Sequence, residues 1–267
     1  LQSRNILLIV GSGAVQNSWE PVIRATNQTF GIQTDADGVN FLMASHVCLL
    51  KFYAEVTSKG GHLNVYEIQK SNVCLIKRNI CNELKKAQDS GELKARPQLD
   101  EILKRFVTPY PSDKAKVITT NWDEVIDIEV RKFYQNINPI NKEVSIMHIH
   151  GAINTPEHMY LPTEVTGERY RIAEERKRFG LDHSDLMHLL LETNRTVLYG
   201  ISLDPLDAEL CLSLAAGWNS PILNEIIIIN PQHEKVAKRV KLLLEIHSIA
   251  KVIGYHPENL NEKIAYN

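Results

Sequence analysis

Two side chains in this sequence have the type and the setting for acid–base chemistry on a bound ligand: the amide of Asn121 and the imidazole of His150. Asn121 lies in Thr119-Thr120-Asn121-Trp122-Asp123, and His150 in His148-Ile149-His150-Gly151. An imidazole of unperturbed pKa about 6.5 can accept a proton at cellular pH. Alternation along an extended chain puts His148 and His150 on one face and Ile149 on the other. Gly151 then leaves space beside His150 for a ligand. A helix cap after a strand would account for Asn121 or Asp123 singly, but less well for Thr119, Thr120, Asn121 and Asp123 together. Either histidine alone also reads as a hydrogen-bonded core residue. Together they could hold a metal only with a carboxylate or cysteine partner nearby, so no metal is expected.

A third segment is the glycine loop Gly11-Ser12-Gly13-Ala14, which follows the apolar run Ile6-Leu7-Leu8-Ile9-Val10. Glycine permits close approach of a phosphate, and a helix start offers free N–H groups. Asn17 or Ser18 is the expected cap, with Trp19, Glu20 and Pro21 in the first turn. The dinucleotide fingerprint is incomplete: Gln16 stands where a third glycine is needed, and Asp35 and Asp37 fall in a turn-like stretch rather than at a strand end. The loop therefore fits a tight structural turn as well as a phosphate cradle.

Strands and helices must bring these segments together. Short apolar runs with little alternation, as in strands buried on both faces, occur at Asn5–Val10, 116–119, 144–149, 196–199, Glu225–Ile229 and 251–254. Helical patterns alternate with the later ones. One is capped by Asp204 ahead of Pro205, another is opened by Pro231, and a third is capped by Asp182 or Ser184. Alternation of strand and helix predicts a parallel, doubly wound sheet, whose strand ends are where ligands bind. Residues 31–112 break the rhythm with helical stretches at 41–55, 66–88 and 99–106. They read as a helical insertion forming a lobe beside the sheet, with room for one short strand. Residues 153–180, charged and containing Pro156 and Pro162, read as a mobile cover.

In order, Gly-Ser-Gly-Ala, Thr-Thr-Asn-Trp-Asp, His-Ile-His-Gly, Gly200-Ile201-Ser202-Leu203-Asp204-Pro205 and Ile229-Asn230-Pro231 resemble the sirtuin family. The resemblance is closest to the sirtuin-like domains of bacterial antiphage systems that hydrolyse NAD, and it runs over residues 6–231. Tyr160-Leu161-Pro162-Thr163, followed by Tyr170, resembles a segment of the same proteins. The implied fold is α/β: one domain over 1–267, a Rossmann-like core (1–30 and 113–267) of about six mostly parallel strands, and a helical insertion at 31–112. The implied chemistry is cleavage of the nicotinamide N-glycosidic bond of NAD, giving nicotinamide and ADP-ribose. On that resemblance Gly11, Ser12, Gly13 and Ala14 would hold the pyrophosphate, and Asn121 would orient a water near the nicotinamide ribose. Asp123 would bond the carboxamide, and His150 would be the general base. Gly200 and Ser202 would touch phosphate and ribose, and Asn230 would read the adenosine ribose. Two alternatives stay open: a non-hydrolytic NAD or ADP-ribose sensing module, and a zinc-free deacylase or ADP-ribosyl transferase. The deacylating sirtuins carry a zinc ribbon of two Cys-x-x-Cys pairs, which this chain cannot build.

Bulk properties narrow the partners. The 267 residues carry a net charge of -2, so no overall field favours nucleic acid or an anionic membrane. Cys48, Cys74, Cys81 and Cys211 have apolar neighbours and no paired spacing, and read as reduced core cysteines of a cytoplasmic protein. No apolar run approaches the roughly 20 residues that span a bilayer, and the first residues lack the profile of a signal peptide. The first strand begins almost at residue 1, as in a chain trimmed at its start. Unregulated loss of NAD would kill a cell, so the resemblance implies a regulatory partner protein or a homo-oligomer. The insertion and the apolar helix at 186–191 are candidate surfaces for it, although the helix reads more readily as core.

Overall fold

Aliphatic and β-branched residues without alternation cover a strand on both faces, and such a strand is stable only between two layers. A computed structural model describes residues 4–108, 113–137, 146–245 and 248–266 of the chain. In chain order its elements are β1 (Asn5–Val10), a 3-10 turn (Ser12–Ala14), β2 (Val15–Gln16), α1 (Glu20–Phe30), α2 (Ala36–Ser58) and α3 (Leu63–Asp89). Next come β3 (Lys94–Ala95), α4 (Leu99–Ile102, widening into a π turn over Leu103–Val107), β4 (Lys114–Thr119), α5 (Val125–Ile137), β5 (Ile146–His148) and α6 (Ala173–Leu191). The rest is β6 (Arg195–Tyr199), α7 (Ala208–Trp218), β7 (Glu225–Ile229), α8 (His233–Leu243), β8 (Lys251–His256) and β9 (Asn259–Tyr266). Of the expected strand at 144–149, Val144 and Ser145 lie outside the described residues.

Among the described residues the sheet has seven strands in the order β5-β4-β1-β6-β7-β8-β9, parallel through β8, with β9 antiparallel at the edge. This is the expected doubly wound, Rossmann-like α/β fold. From β1 the chain moves outward through β4 to β5, then returns to lay β6, β7 and β8 on the other side. The order reverses between β1 and β6, and a crevice opens there beyond the carboxyl ends of the strands.

Each face of β1 meets its own layer. Ile6, Leu8 and Val10 pack with Val39, Met43 and Val47 of α2 and with Ile76, Ile80 and Leu84 of α3. Leu7 and Ile9 pack with Leu186 and Leu190 of α6, Leu210 and Leu214 of α7, and Val236 of α8. The buried side of the insertion is thus continuous with the core on one face of the sheet. Its short strand β3 pairs with β2, tying it to the loop after β1. On α6 the core side is Leu186 and Leu190, while Met187 and Leu191 are exposed, so that helix is half core and half surface.

Several local expectations need correction. Neither Asn17 nor Ser18 caps α1: Asn17 adopts φ 58° and donates its Nδ2 to the Glu92 carbonyl, and the Ser18 hydroxyl donates to the Ser12 carbonyl. Asp182 and Ser184 lie inside α6, which starts at Ala173 because the Glu- and Arg-rich stretch before them is itself helical. The Asp204 carboxylate accepts from the Leu206 N–H in a turn, and α7 begins only at Ala208. β9 was not expected, because its burial alternates on an exposed edge instead of forming a continuous apolar run. Cys48 and Cys74 are exposed, and of the four cysteines only Cys81 is fully buried. Burial pushes the thiol of Cys81 up to about 12 and that of Cys211 up to about 11, so both stay protonated at neutral pH. No helix among the described residues is long and apolar enough to cross a membrane.

Candidate active site

The crevice at the β1–β6 reversal is a cleft with about 1040 Å³ of empty space, counted out through its open mouth. Gly11 and Ser12 after β1, Thr120 to Asp123 after β4, His150 after β5 and Gly200 to Asp204 after β6 form its floor. Trp19 just ahead of α1, Val22 of α1, Asn40 of α2, Leu84 of α3 and the Tyr160-Leu161-Pro162 segment form its walls. Asn121, His150, Gly11, Ser12, Asp123, Gly200 and Ser202 thus share one cleft.

Asn121 is held by its backbone and free at its side chain. Its N–H donates to the Thr119 hydroxyl at 3.0 Å, and its carbonyl accepts from His148 Nδ1 at 2.9 Å. The side chain is buried, yet among the described residues neither its Nδ2 nor its Oδ1 has a hydrogen-bond partner. An unpaired buried amide costs about 1–3 kcal/mol, and such groups are rare unless something else satisfies them.

His148 supports this arrangement from behind. Its Nε2 donates to the Asp127 carboxylate at 2.9 Å, so both ring nitrogens are engaged. Burial works against its charge, but the Asp127 carboxylate outweighs burial and holds its pKa above the ordinary histidine value. β5 stops at His148, so strand alternation no longer governs His150, and the two rings go to different partners. Among the described residues no group of three or more His, Cys, Asp and Glu side chains is arranged to hold a metal ion.

The imidazole of His150 stacks on Tyr160, with centroids 5.7 Å apart and planes 14° from parallel. Its Nε2 stands 3.2 Å from Asp207 Oδ1. Burial opposes its charge, but the carboxylates of Asp207, Glu209 and Glu164 together hold its pKa above the ordinary value. Tyr160 is fixed in turn: its hydroxyl donates to Glu209 at 2.6 Å, and the Arg171 guanidinium lies 4.7 Å from the centre of its ring.

Asp123 lines the cleft and also caps α5, accepting from the Val125 N–H at 3.0 Å. Burial pushes its carboxyl up to about 6 from an ordinary 3.8. Its protonated form is the better tolerated one in the fold, so its contribution to stability is present below about pH 4 and disappears as pH rises through about 6. Asp123→Asn keeps a capping oxygen and removes the charge. It is expected to raise the unfolding free energy by up to about 3 kcal/mol at pH 8 and by nothing at pH 4. Urea unfolding at both pH values measures this, and an equal effect at the two would contradict it.

The glycine loop is shaped by backbone packing as much as by any ligand. Gly11 N–H donates to the Tyr199 carbonyl and Gly13 N–H to the Gly200 carbonyl. A Cβ on Gly13 would fall 2.8 Å from the Gly200 oxygen, and one on Gly200, at φ 66°, would fall 2.3 Å from the Ala14 nitrogen. Gly13 and Ala14 accordingly stand behind Gly11 and Ser12, outside the cleft lining. Asn230 is also outside it. Its Nδ2 donates to the Ile201 carbonyl at 3.0 Å and its Oδ1 accepts from the Gln232 N–H at 2.8 Å, which commits its amide to the turn after β7.

Comparison with protein-family models, curated proteins and solved structures returns no match to this chain.

Two features of the site had no signal in a motif. Asp207 reaches His150 from far along the chain, in the turn ahead of α7, while Glu164 anchors the cleft wall. Glu164 accepts from the Leu161 N–H at 2.7 Å and from Lys77 Nζ at 2.9 Å. The expected mobile cover is therefore tied down around Leu161. Thr163, at φ 72°, donates its N–H to the Leu206 carbonyl at 2.9 Å and joins this wall to the segment after β6.

Proposed function

We propose that the chain is an NAD glycohydrolase of sirtuin-like type, breaking the nicotinamide N-glycosidic bond with water. The observation that carries this reading is the buried, unpartnered Asn121 amide in the cleft that also holds His150. An amide with free donor and acceptor can orient a water at a ribose, and an imidazole in the same cleft can take the proton.

The charge of the cleft supports the same chemistry. Asp123, Asp204 and Asp207 line it, and among the described residues no lysine or arginine does. The nicotinamide nitrogen of NAD is cationic, and a ribose losing it becomes oxocarbenium-like, so both the reactant and the transition state suit carboxylate walls. Ser12 and the helix-side backbone after β1 would take the diphosphate, and Gly200 and Ser202 the adjoining ribose. Asp123, near its titration point at about 6, can meet the carboxamide as acceptor or donor. A role in antiphage defence through NAD depletion, with a partner protein or self-assembly as the off-switch, extends this reading from the motif resemblance.

The test is incubation with NAD alone. Nicotinamide and ADP-ribose should appear in equal amounts without any acyl-lysine or protein acceptor. The rate should rise with pH through a value above the ordinary 6.5 of histidine, because His150 must lose its proton to act as base. Binding of NAD without turnover would favour the sensing module, and turnover only with an acceptor would favour the transferase.

A further inference from the structure

We infer that Asp207 is the positioning residue for His150, a carboxylate whose function is to fix the imidazole within the cleft. The inference rests on the NAD-cleaving reading and adds a residue to it.

Three observations support it. First, Asp207 Oδ1 lies 3.2 Å from His150 Nε2, and both residues line the cleft. Second, Asp207 occupies the N-cap position of α7, where an aspartate side chain ordinarily accepts from a helix N–H, yet it makes no such bond. Its carboxylate is turned away from the helix it could cap and toward the imidazole. Third, the remaining freedom of the ring is already restricted. Stacking on Tyr160 sets its plane, and Tyr160 is held by Glu209 and by the Arg171 guanidinium. With the plane set, one contact at Nε2 determines the in-plane direction of the ring.

The same contact acts on charge. The groups around His150 come from three elements: Asp207 and Glu209 at the start of α7, Tyr160 and Glu164 in the cleft wall with Arg171 beside them, and His183 of α6. Burial disfavours the imidazolium, and Asp207 is the strongest group opposing burial. Without it burial should prevail, and the ring should lose its proton more readily while also losing its orientation. His183, whose pKa burial pushes down, does not replace a missing carboxylate.

The decisive experiment titrates His150 by NMR in the intact, ligand-free protein labelled at histidine, with the signal assigned by its absence in His150→Ala. In Asp207→Asn the midpoint should fall by about one pH unit, a tenfold loss of proton affinity. Asp207→Glu, which keeps the charge on a longer arm, should give an intermediate midpoint. The rate of NAD cleavage should then drop at least about tenfold at pH 8, with its acid limb moved to lower pH by the same amount. An unmoved His150 titration in a variant that melts like wild type overturns the inference, as does a lower melting temperature with the titration unmoved. If the wild-type chain leaves NAD intact, the NAD reading fails, while the titration still decides whether Asp207 governs His150.

Discussion

Asn121→Ala is expected to reduce NAD cleavage by at least about a hundredfold while leaving the protein as stable as before, or slightly more stable. The two halves of this expectation have one origin. The Asn121 backbone is pinned by the Thr119 hydroxyl and the His148 ring, and both contacts survive the substitution because they involve only main-chain atoms of residue 121. The side-chain amide has no partner among the described residues to lose. Truncation removes two unsatisfied buried polar atoms, which offsets the small void it leaves. His150→Ala should lower cleavage by a similar factor, but at a cost in stability, since it deletes the stack on Tyr160 and strands the Asp207 carboxylate. Nicotinamide release and thermal melting, measured on both variants, separate the two cases. Full cleavage by a folded Asn121→Ala protein would remove this residue from the mechanism, and a large drop in its melting temperature would mean that the amide is structural.

What the sequence disclosed follows from how local each signal is. The runs at β1, β6 and β7 are continuous because both faces of those strands are covered, so the parallel sheet and its reversal point are readable from a few residues each. Polar residues directly after such strands had to gather at one sheet end, which placed Asn121, Asp123, His150 and Ser202 together. The roles within that group were less accessible. His148 and His150 look equivalent in sequence, but the strand ends between them, and the first became a support for Asn121 while the second faced the cleft. Asn230 follows a strand as the others do, yet a turn two residues later takes its amide. Asp207 was hidden by Asp204, which sits ahead of Pro205 and looks like the cap. The partners of these residues lie tens of positions away, and pairings at that range leave no trace in a single sequence. The insertion shows the same limit at larger scale. Its helices were readable from periodicity, but their place in the core depends on which face meets β1.

Glu164→Ala is expected to cost about 3–5 kcal/mol of stability, the usual penalty for removing one member of a buried ion group. Glu164 is fully buried and accepts from Lys77 Nζ, the Leu161 N–H and the Tyr170 hydroxyl, with Arg171 Nη2 at 3.3 Å. Lys77 and Arg171 are themselves buried, so the substitution leaves two cations out of water without their carboxylate. Burial pushes the Glu164 carboxyl up, but Lys77 and Arg171 outweigh it and hold it below the ordinary value. A carboxyl with a depressed folded pKa contributes stability above its unfolded value near 4.5 and loses it as pH falls through the lower folded one. The gap between wild type and variant should therefore be full at pH 7 and shrink toward the acid end. Because Lys77 belongs to α3 and Leu161 to the cleft wall, the same loss should loosen the wall that carries Tyr160, and NAD cleavage should fall along with stability. Lys77→Met added to Glu164→Ala should recover part of the loss, since it removes one of the stranded charges while keeping most of the volume. Urea unfolding of the two variants at pH 7 and pH 4 reads all of this, and a single variant within about 1 kcal/mol of wild type at pH 7 would mean that other contacts hold the wall in place.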